Sequence, residues 1–196
     1  EGQGSKNFSE VKRLLYRQSE IFHELMSLTT EVSKPYIAMQ VRAGAEYIML
    51  FDTWANQLPA QFYRQSVFPY VNELARFVQS LKVPVAYFPG QGSNLISELP
   101  GLSVDVLHVD WRSRLDRAIG MIEAIGLDVS IQGNLDPQIF MAKESLIDNQ
   151  VENIIQLGRK ARAHIFNVGH GLLPSTPISG IEHAIAKVRS LEQKGI

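Results

Sequence analysis

The stretch HIFNVGHGLLPSTP, His164 to Pro177, reads as a short buried strand, a glycine-rich polar loop and the opening of a helix. His164, Ile165 and Phe166 supply the strand. Asn167, Gly169, His170 and Gly171 then place polar groups and two glycines where a strand leaves a sheet. Glycine tolerates backbone angles that other residues resist and lets a ligand approach the main chain. Thr176 followed by Pro177 has the form of an N-cap and a proline at the first helical position. His170 is therefore expected between the C-terminal end of a strand and the start of a helix, where parallel α/β folds bind ligands. A surface histidine in a glycine-rich turn fits the same spacing.

Outward from this loop the same unit recurs. Toward the N-terminus, apolar residues at intervals of three and four predict a helix over 8–28, with Asn7 and Glu10 spaced as a capping box. Thr30 is expected to cap a second helix that Gly44 stops. Tyr47 to Phe51 is a continuous apolar run, the pattern of a parallel strand covered on both faces. Pro59 opens a helical stretch, Pro69 is expected to break it, and a fresh helix runs to about Leu81. Further strands are predicted at Val83 to Phe88, Val104 to Val109 and Asp128 to Ile131. Helices are predicted around Leu95, through Leu115 and Ile119, and from Asp136-Pro137 to about Leu157. Ile178, Ile181, Ile185, Val188 and Leu191 form the stripe of a closing helix.

Strand and helix alternate without a hairpin signal, so the fold class is α/β with a parallel sheet and right-handed crossovers. Thr53, Asp110, Asn134, Asn167 and His170 all fall in predicted strand-to-helix loops, the catalytic face of a (β/α)8 barrel. Such a barrel takes about 250 residues and eight strands, whereas about five strands can be read here. An open doubly wound sheet and the later part of a barrel both fit. No linker or repeat divides the chain, and residues 1–196 are expected to form a single domain.

The 196 residues are 45% hydrophobic and 20% charged, an ordinary globular mixture. A formal net charge of -1 gives no reason to expect nucleic acid or an anionic membrane as partner. The absence of cysteine removes disulfides, thiolate nucleophiles and thiolate metal sites, and fits a reducing cytoplasm. No apolar run approaches the roughly 20 residues of a membrane span. The chain opens EGQGSKNF without an initiator methionine, so the start of a longer polypeptide is expected upstream.

Motifs of common chemistry are weak. Gly90-Gln-Gly92 lacks the third glycine of a dinucleotide fingerprint, because Leu95 stands in its place. The five histidines show no paired metal-ligand spacing, and His108 and His164, on predicted strands, are expected to be satisfied core residues. No G-x-S-x-G elbow supports a serine nucleophile. Asp52 and Asp110 are either general acids or bases, or helix caps, and Asp136 is expected to be a cap.

In order and spacing, QVRAGAEYIMLFDTWANQLPAQFYRQSVFPY, VPVAYFPG, HVDW, IQGNLDP and FNVGHGLLPSTP together resemble the uroporphyrinogen decarboxylase family. FDTW, QGNLDP and NVGHG are the most specific of these strings. The resemblance implies a (β/α)8 barrel, present here as an incomplete barrel of about five strand-helix units plus leading helices, the C-terminal portion of such a chain. It implies a cytoplasmic homodimer that decarboxylates the four acetate side chains of uroporphyrinogen III to give coproporphyrinogen III in haem synthesis, without metal or organic cofactor. It also implies that Thr53, in the FDTW motif, and His170, in NVGHG, contact the substrate. The family's arginine-rich loop, its ring-facing aspartate and a tyrosine belong to the first part of its barrel, so no catalytic residue is assigned here. The family mechanism protonates a pyrrole carbon, expels carbon dioxide and reprotonates the methylene, with a carboxylate stabilising the cationic ring.

Two other readings remain. Corrinoid-dependent methyltransferases of the same superfamily bind zinc through histidine and cysteine, but this chain has no cysteine; zinc content would discriminate. The chain could instead be an inactive truncated remnant, since a barrel without its first strands leaves open edges. Activity of the longer polypeptide would separate that case.

Overall fold

A computed structural model of the chain describes residues 7–90 and 93–193. Two leading helices, α1 (Ser9–Arg17) and α2 (Ser19–Arg42), precede strand β1 (Ile48–Phe51), helices α3 (Ala60–Ser66) and α4 (Phe68–Ser80), and strand β2 (Val85–Phe88). A 3-10 turn at Ser93–Glu98 leads to β3 (Val106–His108), α5 (Leu115–Ala124) and β4 (Ser130–Leu135). A second 3-10 segment (Pro137–Met141) is followed by α6 (Glu144–Gly158), β5 (His164–Val168) and α7 (Ile178–Gln193). Hydrogen bonding links the strands in sequence order, β1-β2-β3-β4-β5. This is the parallel strand-helix succession of the (β/α)8 class, carried through five of its steps. No helix among the described residues is long and apolar enough to cross a membrane.

The chain packs as two compact units, Glu1–Val106 and Leu107–Ile196, divided within β3. In the first, β1 and β2 pair in parallel from Ile48 opposite Val85 to Phe51 opposite Phe88. Every residue of β2 is buried, as its unbroken apolar run requires. Phe22 and Ile37 of α2 and Phe68, Ala75 and Val78 of α4 are also buried. In the second unit, β4 and β5 pair in parallel from Ile131 opposite His164 to Leu135 opposite Val168. Its core holds Leu115, Ile119 and Ile122 of α5 with Ile147, Val151 and Ile154 of α6.

Pro69 behaves as its chemistry demands: α3 and α4 part at Val67, and the proline falls in the first turn of α4, where its missing N–H costs nothing. The leading helices differ from the spacing rule. The predicted helix over 8–28 breaks at Gln18, and α2 then runs unbroken through Thr30 and Pro35. Thr30 is not a cap; its hydroxyl donates back to the Met26 carbonyl at 2.9 Å, a bond made within a helix. Pro35 is exposed, and α2 continues through it without the backbone hydrogen bond that its missing amide would donate. The capping box does not form either: Phe8, with φ 50°, stands at the N-cap, and Glu10 is engaged by Arg13 at 2.6 Å. Gly44 does follow α2 with a positive φ of 105°, as the helix stop predicts.

The largest departure is in β4. The predicted strand ends at Ile131, but the ladder continues through Gln132, Gly133, Asn134 and Leu135, all buried. Asn134 is therefore a strand residue and not a loop residue. β5 likewise extends two residues, through Asn167 and Val168.

Candidate functional site

In the first unit the FDTW segment turns out of β1. The ladder reaches one residue past the strand, with the Asp52 amide donating to the Phe88 carbonyl at 2.8 Å. A turn closed by the Ala55 amide on the Asp52 carbonyl then presents Thr53 and Trp54. Thr53 is half-buried and Trp54 exposed. Gly90, leaving β2 with φ +60°, packs directly on this turn. A Cβ at that position would lie 2.1 Å from the Thr53 carbonyl oxygen. Gly90 thus lets two main chains touch, and Gln91 and Gly92 of the same GQG string lie outside the described residues.

Behind the turn stands a chain of three polar groups that the sequence reading missed. The Tyr87 hydroxyl donates to Asp52 Oδ2 at 3.0 Å, and the Tyr63 and Tyr87 hydroxyls are 2.8 Å apart. Both tyrosines are fully buried. Because Tyr87 commits its proton to the carboxylate, Tyr63 is the donor between the two phenols. Burial lifts the Asp52 carboxyl above its ordinary value, and the Tyr87 hydrogen bond partly offsets this. Burial likewise holds both phenols above their usual range. Asp52 and Tyr87 also border a largely apolar cavity of about 630 Å³, lined by Phe22, Ile37, Leu50 and Tyr70 among others. In the sequence, Tyr87 is hidden inside an apolar run. The available signal is that a buried tyrosine hydroxyl needs a partner, and Asp52 closes the neighbouring apolar run.

In the second unit the NVGHG segment leaves β5. Gly169 is buried, its amide donating to the Leu135 carbonyl at 2.7 Å, and a Cβ there would lie 2.2 Å from the Trp111 nitrogen. His170 is half-buried. The Gly171 amide donates to His170 Nδ1 at 2.8 Å, so the neutral ring carries its proton on Nε2. A proton on Nδ1 would displace the Gly171 bond. Thr176 accepts from the Leu173 amide at 3.1 Å and closes the loop before α7.

His108 is a satisfied core residue, as expected from its strand position, whereas His164 is only half-buried because β5 itself is not fully covered. His108 Nε2 donates to the Val168 carbonyl at 3.0 Å, and its Nδ1 accepts from Gln132 at 2.9 Å. Burial pushes the His108 imidazole down to about 4. His164 Nε2 meets the Gly133 carbonyl at 2.6 Å, and burial lowers this ring as well. Asp110 is buried and neither caps α5 nor stands as an isolated carboxylate. It accepts from the Arg112 amide at 2.9 Å and from the Arg112 guanidinium at 2.8 Å. Arg112, two residues after Asp110 at the end of β3, also lies over the Trp111 ring at 4.3 Å. Asp136 is the cap the sequence predicts, accepting from the Gln138 amide at 2.9 Å, though of the 3-10 segment and not of α6 itself. Asn134 donates to the Asp110 and Ser113 carbonyls at 3.0 and 2.6 Å, while its buried Oδ1 has no partner among the described residues. No cluster of three or more histidine, aspartate or glutamate residues suited to a metal ion occurs among the described residues.

Comparison with known proteins agrees with the motifs. The family model for uroporphyrinogen decarboxylase (URO-D) matches residues 1–191. The uroporphyrinogen decarboxylase of Koribacter versatilis is 37% identical over 93% of this chain and 51% of its own. That of Geotalea uraniireducens is 34% identical over 99% of this chain and 56% of its own. The chain thus spans about half the length of the curated relatives it matches. Among solved structures, a methyltransferase from Methanosarcina mazei superposes with TM-score 0.80 at 16% identity, over 94% of this chain and 54% of that one. Dihydropteroate synthase from Thermus thermophilus gives TM-score 0.50 at 17% identity, over 83% and 62%. At such identities these two likenesses speak to the fold alone. With the family model running through both units and the FDTW, QGNLDP and NVGHG strings in place, the chain belongs to the uroporphyrinogen decarboxylase family.

Proposed function

We propose that the full-length polypeptide carrying this chain decarboxylates the four acetate side chains of uroporphyrinogen III to coproporphyrinogen III in haem synthesis. In this reading it works as a cytoplasmic homodimer without metal or organic cofactor, and residues 1–196 belong to one catalytic domain. The observation that carries the reading is the family match across residues 1–191, joined by relatives of that name at 31–37% identity. Thr53 and His170 each contact the substrate. His170 uses its Nε2–H, since Nδ1 is held by the Gly171 amide, and donates to a substrate carboxylate. Thr53 offers its hydroxyl from the turn that leaves β1.

The substrate carries eight carboxylates, whose desolvation calls for paired cations. Arg112 is engaged by Asp110 and Trp111 and is not assigned that task. The cationic residues and the carboxylate that steadies the protonated ring are assigned to the rest of the polypeptide. The test is anaerobic incubation of the full-length protein with uroporphyrinogen III. Stepwise loss of four carboxyl groups is expected, and turnover of uroporphyrinogen that stops without coproporphyrinogen, or none at all, would contradict the assignment.

A further inference from the structure

The Tyr63, Tyr87 and Asp52 chain has no part in the reading given above, and its placement argues for one. Asp52 immediately precedes Thr53, and its own amide and carbonyl form the two backbone bonds that set the turn. Its side chain is held from behind by a phenol that is in turn held by a second phenol. Both phenols are fully buried, so neither can drift to solvent partners. From the other side, Gly90 abuts the Thr53 carbonyl. The turn is therefore fixed by its ladder bond, by a close backbone contact and by a buried side-chain relay. The third is the unusual one, because burying two hydroxyls beside a half-buried carboxylate costs more than apolar packing unless all are paired. An apolar residue at 87 and another at 63 would fill the same space at less cost.

We propose that Tyr87, backed by Tyr63, is a positioning residue that acts through Asp52 to hold the Thr53 turn in its substrate-binding geometry. The proposal rests on Thr53 contacting substrate, as put forward above. Tyr87 does not itself touch substrate. Its hydroxyl orients Asp52 and partly offsets the rise that burial imposes on the carboxyl, and protonation of Asp52 would weaken the acceptor on which the turn leans. The other titratable groups bordering the same cavity are Lys12 from α1, Tyr36 from α2 and Tyr70 from α4. Burial and Tyr87 are what act on the Asp52 carboxyl.

The experiment compares Tyr87→Phe, Tyr63→Phe and Thr53→Val in the full-length protein, with uroporphyrinogen III as substrate. Tyr87→Phe is expected to raise KM roughly three- to tenfold, the consequence of one lost hydrogen bond, while kcat stays within about twofold. Without its phenol donor, the Asp52 carboxyl rises further. The acid limb of the kcat/KM profile should therefore begin at higher pH than in the wild type. Tyr63→Phe should move both readouts in the same direction by less. A Tyr87→Phe protein with unchanged KM and an unmoved acid limb would overturn the proposal, whether or not its melting temperature falls, since that is the behaviour of a packing residue. If Tyr87→Phe fails to fold, Tyr63→Phe, which removes only the outer bond, decides by the same two readouts. An effect of Thr53→Val on KM without one from either tyrosine sinks the relay and leaves the Thr53 reading standing. No effect from Thr53→Val removes the Thr53 reading itself.

Discussion

Gly90 and Thr53 meet main chain to main chain: a single added methyl at Gly90 would lie 2.1 Å from the Thr53 carbonyl oxygen. The position also has φ +60°, which an L side chain adopts with strain. Gly90→Ala is therefore expected to destabilise the protein by about 3 kcal/mol and to raise KM for uroporphyrinogen III, because the turn that must yield carries Thr53. Urea unfolding and steady-state kinetics on the same preparation check both parts. An alanine variant with native stability would mean that the two strand ends do not touch.

His108 makes stability depend on pH in a defined window. Its ordinary value of about 6.5 applies to the unfolded chain, and burial holds the folded ring near 4. As pH falls below about 6.5 the unfolded chain takes up a proton that the folded protein refuses, so stability declines until the folded ring also titrates near pH 4. The full effect is about 3 kcal/mol. His108→Gln, which keeps a donor for the Val168 carbonyl, should flatten that part of the profile. Equal pH dependence in both proteins would show that His108 is not buried as a neutral ring.

What the sequence could tell follows from what each residue spends its polar atoms on. β2 is legible because a parallel strand covered on both faces carries an unbroken apolar run; β1 carries such a run too, although its burial fades to an exposed Phe51. Pro69 and Asp136 are legible because their roles are local: a missing amide and a carboxylate two residues from its donor. The end of β4 is not legible. Gln132 and Asn134 look like loop residues but are buried against His108 and against the Asp110 and Ser113 carbonyls, partners more than 20 residues away that no local pattern reveals. α2 runs through Thr30 and Pro35 for a similar reason. Its apolar side is held by packing against α4, with His23 and Tyr70 hydrogen-bonded at 2.9 Å and Lys34 paired to Glu73, and that outweighs a local cap signal. Thr53 and His170 stand out only through motif resemblance, whereas Tyr63 and Tyr87 are concealed because an aromatic ring reads as apolar until its hydroxyl is placed.

Asp136→Ala should cost about 0.5–2 kcal/mol, the usual loss of an N-cap, with little change in KM. The carboxylate accepts the Gln138 amide and holds the 3-10 segment that precedes α6. Thermal melts alongside kinetics test this. Full stability with lost substrate affinity would instead place Asp136 at the substrate.

The 196-residue chain by itself is expected to form no coproporphyrinogen, since it spans about half the length of its curated relatives and Arg112, the arginine it offers at a strand end, is already paired. Incubation of the purified chain with uroporphyrinogen III, followed by chromatography of the oxidised porphyrins, checks this. Coproporphyrin above the no-enzyme control would show that these residues suffice for the chemistry.

The most direct measurement is calorimetric titration of the full-length protein and its His170→Ala variant with coproporphyrinogen, paired with thermal melts. Removing the Nε2–H donor is expected to weaken binding by about 1.5–3 kcal/mol, the value of a hydrogen bond to a charged group, while the melt stays close to that of the wild type. Unchanged affinity in His170→Ala would remove this histidine from the substrate site. A collapsed melt would mean that its bond with Gly171 holds the loop together and that binding lies elsewhere.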